Sequence, residues 1–117
     1  MAKLSMHMLD TFAGGGAGGI RVDFSRLEGN SYKLIRSIVT DENGRTPEPL
    51  MAGDSIPTGS YQFEVHVAAY YATRGTKLES GPYFEKLPVR FTIFDGVQNY
   101  HVPVLFSPWG YTTYRGQ

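Results

Sequence analysis

The chain has no cysteine. Disulfides, thiolate nucleophiles and cysteine-held metals are therefore excluded. It has no excess of either charge, since 11 Lys plus Arg balance 11 Asp plus Glu. Nucleic-acid binding ordinarily needs a basic stripe, so the balance gives that partner no support. No apolar run is long enough to span a membrane as a helix. The opening Met1-Ala-Lys-Leu-Ser5 lacks the apolar stretch of a secretion signal, so the cytoplasm is the expected compartment. Histidine occurs only three times. His7, His66 and His101 lie far apart and form no His-x-x-x-His pair, so no metal is expected.

What is present is glycine and aromatics: 14 Gly, 8 Tyr and 7 Phe in 117 residues. That mixture suits strands joined by tight turns, and the length suits one domain, residues 1–117, with one core. Leu4, Met6 and Met8 alternate with Ser5, His7 and Leu9, which reads as a first strand. Ile20–Ser25, Tyr32–Thr40, Tyr61–Ala68 and Val89–Ile93 read as further strands. Leu34 and Ile38 face one way in the third, Ile35 and Val39 the other, which suits an edge or a subunit contact. Leu50–Ile56 is irregular or a short edge strand. Ala69–Arg74 suits a short helix that Gly75 stops. Asp95-Gly96 reads as a hairpin turn into a strand over 98–105. Ser107-Pro-Trp-Gly110 turns the chain into a last short strand. Seven or eight short strands and one helix predict an all-β sandwich of antiparallel sheets.

The Gly14-Gly-Gly-Ala-Gly-Gly19 run reads as a flexible connection. It lacks the βα context of a dinucleotide loop and the Lys-Ser or Lys-Thr of a phosphate loop. Ser107-Pro108 sits in no G-x-S-x-G elbow, so a serine nucleophile is not expected there. His7 and His101 both lie opposite the core-facing residues of their strands. If the terminal strands are neighbours, the two imidazoles offer proton transfer near neutral pH. Arg45 follows the Asp41-Glu-Asn-Gly44 turn and could hold an anionic oxygen with its fork. Tyr114 and Arg115 lie where the chain could close such a site. Each of these residues also has a plain reading: a hydrogen-bonded strand histidine, a solvated turn arginine, a packing tyrosine.

Taken in order, the motifs resemble those of the 5-hydroxyisourate hydrolase (transthyretin-related) family. Leu4-Ser-Met-His-Met-Leu-Asp10 resembles its N-terminal motif, and Asn43-Gly-Arg45 with Pro49-Leu50 its arginine loop. Tyr100-His-Val-Pro103 and Ser107-Pro-Trp109 resemble its last long strand and turn. Tyr114-Arg-Gly116 resembles most of its terminal Y-R-G-S signature. The resemblance implies a transthyretin-like sandwich and a homotetramer, a dimer of dimers with sites between subunits. It implies a small-molecule substrate and no cofactor. The reaction it implies opens the cyclic amide of 5-hydroxyisourate to give 2-oxo-4-hydroxy-4-carboxy-5-ureidoimidazoline. His7, Arg45 and His101 would be catalytic, and Tyr114, Arg115 and Gln117 would bind substrate.

The chain departs from the pattern at Gln117, where the family has serine, and at Met6, where it has threonine. These changes could tune turnover, admit a related cyclic ureide, or do little. A non-enzymatic small-ligand carrier like transthyretin, or a plain interaction module, is the alternative. The carrier reading predicts a channel without the paired histidines and arginine.

Overall fold

The computed structural model describes residues 1–117. Nine strands and one helix follow in order: β1 (Ala2–Asp10), β2 (Gly15–Gly16), β3 (Arg21–Glu28), β4 (Ser31–Val39), β5 (Met51–Gly53), β6 (Gly59–Val65), α1 (Val67–Thr73), β7 (Leu87–Ile93), β8 (Tyr100–Phe106) and β9 (Tyr111–Thr113). They form two sheets. One runs β2-β1-β8-β9, with β5 also on β1; the other runs β4-β3-β6-β7. This is the transthyretin-like sandwich with a single short helix.

Period-two alternation builds the core. Along β1 the side chains of Ala2, Leu4, Met6, Met8 and Asp10 are buried, while Lys3, Ser5, His7 and Leu9 point outward. On β8, Tyr100, Val102, Val104 and Phe106 turn inward and leave His101 outward. The facing sheet supplies Phe24, Tyr61, Phe63 and Phe91, whose ring centroids lie 5.1–6.0 Å apart. Fully burying such side chains stabilises by about 1.5–3 kcal/mol each, which makes this layer the main apolar contribution. β4 forms an edge and stays exposed, with Leu34, Ile35 and Val39 open on its two faces. Met51–Gly53 is the short edge strand that the sequence allowed, pairing antiparallel with Ala2–Leu4.

The pairing that matters most for function joins β1 to β8. It is parallel, an exception to the antiparallel sheets expected from the sequence, and sets Ser5 beside His101 and His7 beside Pro103. The other pairings are antiparallel. A parallel pair needs a long crossover, and here the whole second sheet supplies it.

Two local expectations need correction. Asp95-Gly96 does not close a hairpin, because β7 and β8 belong to different sheets. The loop is instead tied across the sandwich: Ile56 N–H donates to the Gly96 carbonyl at 2.8 Å, and Asp95 Oδ1 accepts from Val97 N–H. The Gly14–Gly19 run is not a free tether. A Cβ on Gly16 would lie 2.1 Å from the Asn43 carbonyl oxygen, and one on Gly18 would lie 2.9 Å from Glu42 Cα. Glycine is needed there because the loop carrying Arg45 lies against it.

The helix is only seven residues long and leans on the end of β1. Buried Asp10 accepts hydrogen bonds from Tyr70 Oη (2.8 Å), Tyr71 Oη (2.7 Å) and the amides of Phe12 and Ala13 (3.0 Å each). Burial, then the bond to Asp10 and its charge, push the Tyr70 phenol up to about 12. At the other end, Gly75 N–H bonds to Ala72 O and Thr76 N–H to Tyr71 O, which satisfies the last carbonyls as the sequence anticipated.

Candidate active site

The site grows from the outward side of β1 and β8. Register puts Ser5 level with His101, and His7 two residues further along the same face, about 6.6 Å of strand rise. His101 Nδ1 lies 2.8 Å from Ser5 Oγ. The opposite edge of the ring meets the C-terminal segment. Gly116 N–H donates to the His101 carbonyl at 2.7 Å, and a Cβ on Gly116 would stand 2.7 Å from His101 Cδ2. Glycine is the one residue that fits there without moving the ring.

Arg45 arrives on the Asp41–Arg45 loop. Asp41 Oδ1 accepts from Asn43 N–H (2.9 Å) and from Arg45 N–H (3.0 Å), folding the loop on itself. Gly44 takes φ +81°, and its carbonyl accepts from Met8 N–H at 2.8 Å. The loop is thereby stapled to β1 one residue beyond His7. His7 Nε2 lies 2.9 Å from the Asn43 carbonyl oxygen. A carbonyl only accepts, so Nε2 carries the proton, and in neutral His7 the lone pair is on Nδ1.

Arg45 and His101 line one cleft of about 470 Å³, together with Lys3, Ser5, Glu48 and Gln117. His7 borders this cleft through the Arg45 loop rather than lining it. Neither Lys3 nor Arg45 has a carboxylate within ion-pair distance, so both cations are free for a ligand. Burial lowers the His101 pKa from its ordinary value, and the charges of Arg45, His7 and Lys3 lower it further. These groups therefore share one electrostatic field. His101 is neutral at neutral pH and able to accept a proton.

The remaining candidates divide. Gln117 reaches the cleft. Arg115 turns away from it, donating to Gln98 Oε1 (2.8 Å) and the Asn99 carbonyl (3.0 Å) and covering the Tyr100 ring at 4.5 Å. It anchors the terminus so that Gly116 and Gln117 lie along β8. Tyr114 is exposed and borders a second cavity of about 220 Å³ with Arg115, Phe94 and Val102. Met6 borders the cleft, but its side chain is buried in the core on the face away from His7. Ser5, Lys3, Thr46, Glu48 and Asn99 are polar cleft residues that sequence reasoning passed over. Ser5 and Lys3 share the parity of His7, and that was the available signal.

No three residues among His, Asp and Glu gather into a metal-binding group. His66 lies away from the cleft, between β6 of the other sheet and α1. Its Nε2 pairs with Asp23 Oδ2 at 2.8 Å, while Ser37 Oγ (2.6 Å) and Arg21 Nε (3.0 Å) donate to Oδ1. Burial alone would raise the Asp23 pKa, but these donors outweigh it and hold the carboxyl at about 2, against an ordinary 3.8. A depressed carboxylate stabilises the fold at higher pH and loses that contribution as pH falls through its folded value. Urea unfolding of wild type and Asp23→Asn should therefore differ above about pH 4 and converge toward pH 2. A constant difference across that range would mean that the carboxylate is not what the donors stabilise.

Residues 4–116 match the Transthyretin family model, described as HIUase/Transthyretin family. The chain is 44% identical over 114 residues to 5-hydroxyisourate hydrolase 2 of Rhizobium meliloti (strain 1021), covering 97% of this chain and 95% of that protein. The solved structure of Klebsiella pneumoniae 5-hydroxyisourate hydrolase superposes with a TM-score of 0.80 at 32% identity, covering 100% of both chains. A crystal structure of (S)-allantoin synthase superposes with a TM-score of 0.89 at 34% identity. There the match takes in 99% of this chain but spans only 44% of the larger one.

Proposed function

We propose that this chain, which belongs to the HIUase/Transthyretin family, hydrolyses the cyclic amide bond of 5-hydroxyisourate. The product is 2-oxo-4-hydroxy-4-carboxy-5-ureidoimidazoline. The observation that carries the reading is the meeting of His101, Arg45 and unpaired Lys3 at one cleft, with His7 tied to its wall. A carrier of neutral or aromatic ligands has no use for a depressed histidine beside two free cations.

The chemistry needs only water. Neutral His101 takes a proton from water as the oxygen attacks the amide carbonyl. Negative charge then develops on the carbonyl oxygen, and the Arg45 guanidinium stabilises it. The C–N bond breaks, the ring nitrogen leaves with the proton that His101 took from water, and a carboxylate remains. His7 orients the Arg45 loop through its bond to the Asn43 carbonyl. Gln117 offers both a donor and an acceptor where the family has a hydroxyl.

The working assembly is a homotetramer, a dimer of dimers, with the cleft opening at a subunit contact. Exposed Phe12 and Trp109, in edge contact at 5.7 Å beyond the ends of β1 and β8, offer a separate apolar patch that a second subunit could cover. Tyr114 is outside the cleft of its own protomer and would reach substrate only across that contact.

The deciding experiment follows the ultraviolet absorbance of freshly generated 5-hydroxyisourate, corrected for spontaneous decay, with the oligomeric state measured in parallel. The assembled wild type should accelerate the loss. An assembled, folded protein that gave no acceleration would end the hydrolase assignment.

A further inference from the structure

Ser5 is the side chain in contact with His101 Nδ1, at 2.8 Å. The Cδ2 edge of the ring is blocked by Gly116, and the segment holding Gly116 is pinned by Arg115. With both edges occupied, Nε2 is the ring nitrogen left to face outward from the sheet. Arg45 and Lys3, both unpaired, stand at the same cleft. Their field favours the tautomer that turns a lone pair toward them, because an N–H there would point its positive end at two cations.

We infer that Ser5 is a positioning residue: its hydroxyl oxygen accepts the Nδ1 proton of His101 and so keeps Nε2 free as the proton acceptor in the cleft. The hydroxyl needs no other role for this. Its Oγ makes no hydrogen bond to any other protein group, so its own hydrogen is free for water or substrate. The logic is that of a histidine whose reactive nitrogen is set by the bond made at the other one. Free imidazole prefers the opposite tautomer, so the preference must be imposed from outside. The inference rests on the hydrolase reading for its kinetic consequence, but the tautomer itself does not depend on substrate.

Two readouts keep the two claims apart. Nitrogen-15 NMR of the imidazoles at about pH 8, above the ordinary histidine value, reports which nitrogen carries the proton. Wild type should show His101 protonated at Nδ1, and Ser5→Ala should shift it toward the Nε2–H form. Steady-state kinetics of Ser5→Ala should show kcat reduced about tenfold with KM nearly unchanged, as for loss of a group that serves the chemical step and not substrate binding. Ser5→Thr keeps the hydroxyl on a strand-compatible side chain and should recover kcat to within about threefold of wild type. An Nε2–H tautomer in wild type, or a tautomer unmoved in Ser5→Ala, overturns the inference. A wild type with the Nδ1–H tautomer but no hydrolase activity would overturn the functional reading and leave the positioning role standing.

Discussion

His101→Asn lowers kcat at least a hundredfold while the protein stays folded and assembled. Proton transfer by a placed side chain is worth about 10²–10⁴ in rate, and asparagine can hydrogen bond but cannot accept the proton. The residue makes one side-chain hydrogen bond, to Ser5, and its backbone remains in the β8 ladder, so unfolding is not the expected route to loss. The pH profile supplies a second check. Burial and the neighbouring cations lower the His101 pKa below 6.5. Protonation removes the acceptor, so kcat/KM of wild type should fall on the acid side, through an apparent pKa under that value. His7→Asn should cost less in kcat, because its Nε2 bond to the Asn43 carbonyl is a bond an amide can partly imitate. A His101→Asn variant within threefold of wild type would remove the residue from proton transfer.

The sequence makes one half of this arrangement readable and hides the other. Alternation in Leu4–Leu9 and Tyr100–Phe106 places His7 and His101 outward, and both are outward. Their being neighbours is a property of sandwich closure. Ser5 pairs with His101 across 96 positions of chain, and no local pattern carries that information. The same limit explains the misread Asp95-Gly96. Turn chemistry specifies a reversal of direction, whereas Ile56, 40 positions earlier, determines what the loop binds. The glycine run was ambiguous for a related reason. Glycine serves where a chain must bend freely and where a backbone must come close, and only the contact of Gly16 with Asn43 distinguishes the two. The terminal Tyr-Arg-Gly was legible as a unit but not as a division of labour. Arg115 anchors, Gly116 makes room for a ring, and Gln117 reaches the cleft.

Arg45→Lys should lower kcat/KM about a hundredfold with little change in melting temperature, because removing one donor from an oxyanion site costs about 10²–10³. Lysine keeps the charge but loses the planar fork, so the two reacting-centre bonds a guanidinium can make become one. Stability should hold, since the Arg45 side chain has no ion-pair partner to lose and the loop is held through its backbone by Asp41 and Met8. Gly44→Ala inverts the experiment by leaving the guanidinium and attacking the staple. A Cβ there would lie 2.2 Å from the Met8 carbonyl, at a φ of +81° that alanine disfavours. The left-handed conformation and the overpacking together cost roughly 2–5 kcal/mol, felt as a lowered melting temperature as well as lost turnover. The pair therefore separates chemistry from placement. If Arg45→Lys retained most of its activity, oxyanion stabilisation would have to be reassigned, and Lys3 is the other unpaired cation at the cleft.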